Sequence, residues 1–180
     1  MTDVATLIDA LIDREGGYVD HPADRGGPTH WGITQAVARA HGYAGDMRAL
    51  PRDLAVRIYR ELYWTTPQFD RIAALSPIIA AELFDTGVNM GPAVAVRFLQ
   101  RALNALNRNG RDYADIVIDG ALGPATVQAL RQYRDARGKA GEMVLLKAVD
   151  ALQGERYIAL AEVRPANEAF VYGWLANRIG

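Results

Sequence analysis

The chain contains no cysteine, which excludes disulfides and thiolate zinc sites as supports of its fold. Its net charge is only −1, so it lacks the clustered basic surface that binding to nucleic acid requires. No apolar run is long enough to cross a bilayer, which argues against an integral membrane segment. The opening stretch MTDVATLIDALIDREGG has acids inside its apolar run and no basic segment before it, so we expect no signal peptide.

Patterns typical of α-helices dominate the sequence. Apolar residues recur at helical spacing from Val4 to Ile12, and Gly16 is expected to end this first helix. Residues 18–33 are rich in glycine and proline, which favours a loop or a small β-hairpin, and residues 116–118 could form a short strand. The predicted starts of later helices are Pro51, Pro77, Gly91 and Gly123. The sequence therefore predicts a mainly α fold with a small β-hairpin or loop element after helix 1.

Glu15 occupies an unusual position for a glutamate. It follows Leu11 by four positions and Ile12 by three, so we expect it on the buried face of the first helix. It also lies in the last turn, where the helix dipole opposes a negative charge. Both effects favour the protonated carboxyl, the form that a general acid needs for glycosidic cleavage. The alternative is a frayed helix end that leaves Glu15 in water.

The loop after Glu15 concentrates the other groups that a glycosidase uses. Asp20 or Asp24 would supply a second carboxylate, which activates water or stabilises the oxocarbenium ion. Hydroxyls to position water and flat faces for stacking on a sugar are offered by Thr29, Thr34, Tyr18 and Trp31. A metal site is the rival interpretation, but the sequence has neither a His-Glu-x-x-His helix nor a calcium-loop pattern, so we predict no metal.

Later helices carry further candidates for a sugar-binding cleft. Tyr63 and Trp64 could contact the substrate, although aromatic residues four apart on one helix, such as Tyr59 and Tyr63, usually belong to the core. Asn89 could hydrogen-bond an N-acetyl group or simply end its helix. Glu82 lies in the same helix, where we expect it on a solvated face.

The stretch EGGYVDHPADRGGPTHWGIT resembles the signature of glycoside hydrolase family 108, which contains N-acetylmuramidases with an α-helical, lysozyme-like fold. The resemblance implies that Glu15 is the catalytic acid. The order Glu15, Asp24, Thr29 is also similar to the Glu, Asp, Thr triad of phage-type lysozymes, with an interval from Asp to Thr that is one residue shorter. Thr34 therefore stays an alternative for the threonine role, and Asp20 an alternative for the second carboxylate.

The resemblance extends along the chain. YRELYWTTPQFDRI is similar to a Tyr-Trp segment of the family, and DGALGPATVQAL is similar to the peptidoglycan-binding module that often accompanies these enzymes. This implies a lysozyme-like catalytic domain over residues 1–88 and a helical peptidoglycan-binding-type domain over residues 89–180, packed against it.

The function implied by this resemblance is that of a muramidase. Its substrate would be the glycan strands of peptidoglycan, cleaved at the β-1,4 bond between N-acetylmuramic acid and N-acetylglucosamine by a monomer without a cofactor. A phage or prophage endolysin is the expected setting, made in the cytoplasm and brought to the cell wall by a holin, a phage tail or secretion machinery. The alternatives are a non-catalytic cell-wall-binding or secretion-accessory protein and a lyase that leaves anhydro-sugar ends.

Overall fold

The structure is a computed structural model that describes residues 3–20 and 27–179. It is mainly α, as predicted: the described residues form eight α-helices and one two-stranded sheet. No helix in these two ranges has both the length and the apolar character to cross a membrane. The chain divides into two compact units, the first ending at Thr66 and the second beginning at Pro67.

The first unit is built on the packing of two helices. Its elements are α1 (Val4–Glu15), β1 (Thr29–His30), β2 (Ile33–Thr34), α2 (Gln35–Ala40), a 3-10 turn (Met47–Ala49), α3 (Arg52–Arg60) and a π-helical segment (Glu61–Thr65). Helix α1 packs on α3. The apolar positions predicted from helical spacing, Ile8, Leu11 and Ile12, are buried there. Outside this core, the Arg52 guanidinium binds the carboxylates of Asp9 at 2.7 Å and Asp13 at 3.2 Å.

The predicted hairpin after α1 is confirmed. Strands β1 and β2 are antiparallel, with Thr29 opposite Thr34 and His30 opposite Ile33. The turn between them consists of Trp31 and Gly32, with φ angles of 54° and 73°. Positive φ at both central residues matches the right-handed twist of the flanking strands. Val19 also pairs with Thr29 through two backbone hydrogen bonds of 2.8 Å, so the chain returns alongside the end of α1.

The second unit is a helical assembly centred on α5. Its elements are α4 (Phe69–Ala73), α5 (Pro77–Met90), α6 (Pro92–Leu106), α7 (Pro124–Val163), a 3-10 turn (Pro165–Asn167) and α8 (Glu168–Arg178). Helix α5 packs on α4, α6 and α7. The hydroxyl of Ser76 caps its first turn by accepting from the backbone N–H of Ile79. The predicted domain boundary between residues 88 and 89 falls inside α5. It stays a prediction.

Helix α7 is bent sharply at Gly138, whose φ of 61° and ψ of −160° are not helical. The segments GPATVQALRQYR and GEMVLLKAVDALQGERYIALAEV each have a helical pattern, so the sequence predicts two helices here, and the structure joins them through this kink. An added Cβ at Gly141 would lie 2.1 Å from Cβ of Arg137. The bend therefore requires glycine at two positions one turn apart.

The predicted strand at residues 116–118 is wrong. No strand forms there, and the side chain of Asn104 takes the place of a pairing strand. Its amide nitrogen donates to the carbonyl of Ile116 at 2.8 Å, and its amide oxygen accepts from the N–H of Ile116 at 2.9 Å. Apolar β-branched residues favour extended backbone, but an extended segment becomes a strand only where a neighbouring strand pairs with it.

Candidate active site

Glu15 is the last residue of α1. The chain turns away at Gly16, whose φ is 78° and whose N–H donates to the carbonyl of Ile12 at 3.2 Å. The prediction that Glu15 lies on the buried face is wrong, because its residue is exposed. The helix ends before this side chain can be covered by the packing that buries Ile12. The carboxyl of Glu15 is therefore accessible to a ligand.

The stem of Glu15 lies against the hairpin turn. An added Cβ at Gly32 would lie 3.0 Å from Cγ of Glu15 and 3.1 Å from its Cβ. The same Cβ would lie 2.3 Å from the hydroxyl oxygen of Tyr59. Gly32 is thus required twice, once for its positive φ and once because a side chain would occupy the space where Glu15 and Tyr59 approach the turn. The absent side chain lets three elements, α1, the hairpin and α3, meet at one point.

Tyr59 anchors the hairpin turn through a hydrogen bond. Its side chain is buried, and its hydroxyl donates to the carbonyl of Trp31 at 3.1 Å. Burial raises the pKa of Tyr59, and the negative charge of Glu15 raises it further. The phenol is therefore a neutral donor at physiological pH. The spacing of Tyr59 and Tyr63 suggested a core aromatic, and nothing in the sequence indicated a hydrogen bond to a residue 28 positions away.

Trp31 is fixed in a backbone conformation that is uncommon for a bulky residue. Its indole N–H donates to the carbonyl of Leu50 at 3.1 Å, and its ring stacks on His30 with centroids 4.6 Å apart. With its carbonyl bound by Tyr59, the residue is held at three points. One face of the ring is covered by His30, so only the opposite face is left for the predicted sugar stacking.

Tyr18 also has contacts on its hydroxyl and on its ring. Its hydroxyl donates to Oδ2 of Asp20 at 3.0 Å, and the guanidinium of Arg48 lies 4.7 Å from the centre of its ring. Desolvation raises the pKa of Tyr18, and its hydrogen bond to Asp20 acts in the same direction. Arg48 therefore occupies one of the faces that the sequence assigned to a sugar. Asp20 itself is exposed.

The two candidate threonines have different surroundings. The hydroxyl of Thr34 accepts from the N–H of Val37 at 3.3 Å and so caps α2. The hydroxyl of Thr29 donates to the carbonyl of Gly27 at 3.3 Å within the hairpin. Thr34 thus has a structural task that competes with the predicted alternative role in catalysis. Asp24, the first candidate for the second carboxylate, lies outside the described residues.

Tyr63 and Trp64 lie in the π-helical segment that continues α3. Trp64 is buried, so its predicted contact with the sugar does not fit its position, whereas Tyr63 is half-buried. The rings of Tyr59 and Tyr63 are 5.9 Å apart at an angle of 35°. Insertion of an extra residue into a helical turn is frequent near functional sites, because it changes the direction of the following side chains.

Asn89 and Glu82 belong to the second unit. Asn89 is exposed, and its side-chain amide donates to the carbonyl and to the carboxylate of Asp85. The expected solvated position of Glu82 is wrong, since this residue is half-buried and accepts a 2.9 Å hydrogen bond from Thr86. Burial raises the pKa of Glu82 to about 7, and the negative charge of Asp150 on α7 adds to the shift. Burial raises the pKa of Asp150 as well.

Two histidines of the first unit, His30 and His41, have a ring nitrogen bound to the backbone. Nδ1 of His30 lies 2.7 Å from the carbonyl of Met47, and Nδ1 of His41 lies 2.9 Å from the carbonyl of Val37. A carbonyl only accepts, so each of these nitrogens carries the proton. Within residues 3–20 and 27–179, no three His, Cys, Asp or Glu side chains form a group that could hold a metal ion.

Comparison with known proteins assigns both parts of the chain. Residues 8–91 match the family described as Glycosyl hydrolase 108, and residues 94–179 match the family described as Predicted Peptidoglycan domain. Among solved structures, the chain is similar to Brucella abortus SagA, with 27% sequence identity and a TM-score of 0.67. That similarity covers 96% of this chain and 87% of SagA. The search of curated proteins returned no match.

Proposed function

Because this chain belongs to glycoside hydrolase family 108 and adds a domain of the predicted peptidoglycan family, we propose that it is a muramidase with Glu15 as general acid. The chain is a lysozyme-like, mainly α hydrolase that acts on peptidoglycan. The bond that we propose is the β-1,4 bond between N-acetylmuramic acid and N-acetylglucosamine. The observation that carries this proposal is the exposed Glu15 at the end of α1, set against the turn that Tyr59 holds in place.

In the proposed reaction, the Glu15 carboxyl donates its proton to the glycosidic oxygen as the bond from that oxygen to the muramic acid C1 breaks. A second carboxylate then stabilises the positive charge on the sugar or activates the water that completes hydrolysis. Asp24 is our first candidate and Asp20 our second. A separation of about 5 Å between the two carboxyls would indicate retention, and about 6.5–9.5 Å would indicate inversion.

The surroundings of Glu15 support a fixed position for its carboxyl. The stem is confined by the hairpin turn, and the turn is anchored by the hydrogen bond from Tyr59 to the carbonyl of Trp31. An acid that is held in place before the substrate arrives loses little conformational entropy in the reaction. This arrangement needs the close approach at Gly32, which explains a glycine in the turn beyond its backbone angle.

The experiment is mass spectrometry of the soluble products that the wild type and a Glu15→Gln variant release from purified peptidoglycan. We expect reducing muramic acid ends from the wild type and a loss of at least about a hundredfold in the variant, because loss of a general acid removes roughly 10²–10⁴-fold in rate. Asp13→Asn, an exposed carboxylate on α1, is the control and should retain its activity apart from a small effect of its Arg52 ion pair.

Each other product pattern contradicts a defined part of the proposal. Anhydro-muramic acid ends would show a lyase, and reducing N-acetylglucosamine ends would show cleavage of the other bond. Equal release by wild type and Glu15→Gln would remove Glu15 as the acid. No release by either protein, with both still sedimenting with the wall, would favour a non-catalytic cell-wall-binding or secretion-accessory protein.

We also propose that the enzyme serves lysis by a phage or prophage, with a holin, a phage tail or secretion machinery bringing it to the wall. What supports this setting is the proposed muramidase reaction together with the likeness of the Glu15 segment to lysozyme sequences. The same pair of proteins tests it: co-expression with a holin should lyse cells with the wild type and leave them intact with Glu15→Gln. Intact cells in both cultures, with active enzyme in the extract, would refute this delivery route.

A further inference from the structure

The second unit has a pocket of about 370 Å³ beside the kink of α7. Its wall is formed by one residue of α6 and five of α7: Leu106, Tyr133, Arg137, Ala140, Gly141 and Val144. The volume lies at the lower end of the range of small-ligand sites, which is roughly 300–1,000 Å³. The pocket lies wholly within residues 94–179, the part that matches the predicted peptidoglycan family.

The pocket is shaped by backbone that cannot readily change. Gly138 provides the kink through its positive φ, and Gly141 leaves the space that a Cβ would take from the side chain of Arg137. The buried hydroxyl of Tyr133 donates to the carbonyl of Gly141 at 2.7 Å and ties the two halves of α7 together across the bend. The wall is therefore already formed before a ligand binds, which lowers the entropic cost of binding.

Arg137 brings a positive charge to this pocket. Its only ion pair among the described residues is with Asp112, where Nε lies 3.8 Å from Oδ2. Both oxygens of the same carboxylate already accept hydrogen bonds from Arg108, which is the largest cause of the lowered pKa of Asp112. Arg111 lowers that pKa as well. Three arginines thus share one carboxylate, and the hydrogen bonds to that carboxylate come from Arg108.

The ligand that fits is an anion with a small apolar group beside it. A guanidinium presents five N–H donors in a plane that matches a carboxylate, and charge-assisted pairs of this kind are among the stronger hydrogen bonds. Besides Arg137, the wall offers the apolar side chains of Leu106, Ala140 and Val144. A terminal alanine, with one methyl group and one carboxylate, has this combination, and the stem peptides of peptidoglycan end in alanine.

We infer that the pocket beside the α7 kink binds the terminal carboxylate of a peptidoglycan stem peptide through Arg137. The inference rests on the proposed function only in taking peptidoglycan as the ligand. It gives the second domain a task that is separate from bond cleavage: the peptide side of the wall is bound there while glycan is cleaved in the first domain. No part of this recognition involves Glu15.

The test measures binding of the free stem tetrapeptide, released from purified walls by an amidase, to the full-length Glu15→Gln protein by calorimetry. We expect binding of the tetrapeptide and at least tenfold weaker binding of the same peptide with an amidated terminus. Arg137→Gln should weaken binding of the tetrapeptide at least tenfold. Val144→Trp, which fills the pocket from an exposed position, should do the same. Arg131→Gln, an exposed arginine of α7 outside the pocket, is the matched control and should bind within about twofold of the parent.

Three results would overturn the inference: no binding of the tetrapeptide by the parent protein, equal binding of the acid and amide forms, or unchanged binding by Arg137→Gln and Val144→Trp. Binding of glycan chains stripped of peptide, in place of the tetrapeptide, would assign the pocket to sugar and also overturn it. Because the peptide is not a substrate for glycan cleavage, a failed muramidase assay leaves this result unchanged. Conversely, active enzyme that does not bind the peptide would refute only the pocket.

Discussion

Replacement of Gly32 by alanine tests whether the hairpin turn, Tyr59 and Glu15 meet as closely as the structure has them. The backbone contribution follows from the φ of 73°, since an L-residue in the left-handed region costs about 1–2 kcal/mol. The steric contribution follows from the 2.3 Å approach of the new Cβ to the hydroxyl of Tyr59. Relief of that overlap displaces a packed side chain, which costs about 1–3 kcal/mol. We therefore expect Gly32→Ala to lower the free energy of unfolding by about 2–5 kcal/mol.

Gly42→Ala separates the two contributions. Gly42 also lies in the first unit and has a φ of 83°, but an added Cβ there has no atom within 4 Å. It should show the backbone cost alone, about 1–2 kcal/mol. Both variants are measured by urea denaturation, followed by tryptophan fluorescence and circular dichroism, with the same extrapolation to zero denaturant.

A double-mutant cycle with Tyr59→Phe identifies the group responsible. Without its hydroxyl, Tyr59 no longer presents the atom nearest to the new Cβ, so Gly32→Ala should cost at least about 1 kcal/mol less in the Tyr59→Phe background than in the wild type. Equal costs in the two backgrounds, or a Gly32→Ala cost no greater than that of Gly42→Ala, would refute the close approach at Gly32. Wall-cleaving activity, assayed on folded Gly32→Ala protein, should fall because Cγ of Glu15 lies 3.0 Å from the same new atom.

Two further predictions concern the second unit. Folding raises the pKa of Glu82 from its ordinary 4.5 to about 7. The contribution of Glu82 to the free energy of unfolding is therefore complete below pH 4.5 and is lost as the pH rises through 7, where the buried carboxyl ionises. Between pH 4.5 and 8 the free energy of unfolding of the wild type should fall by about 2–3 kcal/mol relative to Glu82→Gln, and parallel profiles would contradict the shift. Asn104→Ala should lower the free energy of unfolding by about 1–3 kcal/mol through loss of both bonds to Ile116, whereas exposed Asn177→Ala should change it by less than 0.5 kcal/mol. Equal effects in urea denaturation would refute a role for Asn104.

Local sequence was sufficient to predict most of the helices. Prolines at the first helical positions of α5, α6 and α7 mark starts that depend on backbone geometry within a few residues. The end of α1 at Gly16 and the cap of α2 at Thr34 are of the same kind. The hairpin after α1 was also predicted, because its glycines and short strand segments act locally.

Predictions that depended on a distant neighbour failed. Residues 116–118 have a strand-like composition, but the side chain of Asn104, not a second strand, hydrogen-bonds the backbone of Ile116. The amphipathic pattern around Glu82 predicted a solvent-exposed position, yet the residue is half-buried. Its pKa is raised in part by the charge of Asp150, which lies 68 positions later in the chain. The prediction that Glu15 is buried failed for a local reason: it followed from helical spacing alone, but the helix ends at that residue and leaves it exposed.

The sequence alone determined the helical architecture, the hairpin after α1 and the choice of Glu15 as the candidate acid, because these depend on spacing, on caps and on a contiguous motif. Only the tertiary structure decided what surrounds that acid and what else the chain offers to a ligand. The contact of Gly32 with Tyr59 and the pocket of Arg137 beside Gly141 join residues through space. The sequence shows that a residue is glycine, but it does not show why a side chain is excluded there. That reason is visible only in the tertiary structure, where another element occupies the space that a side chain would need.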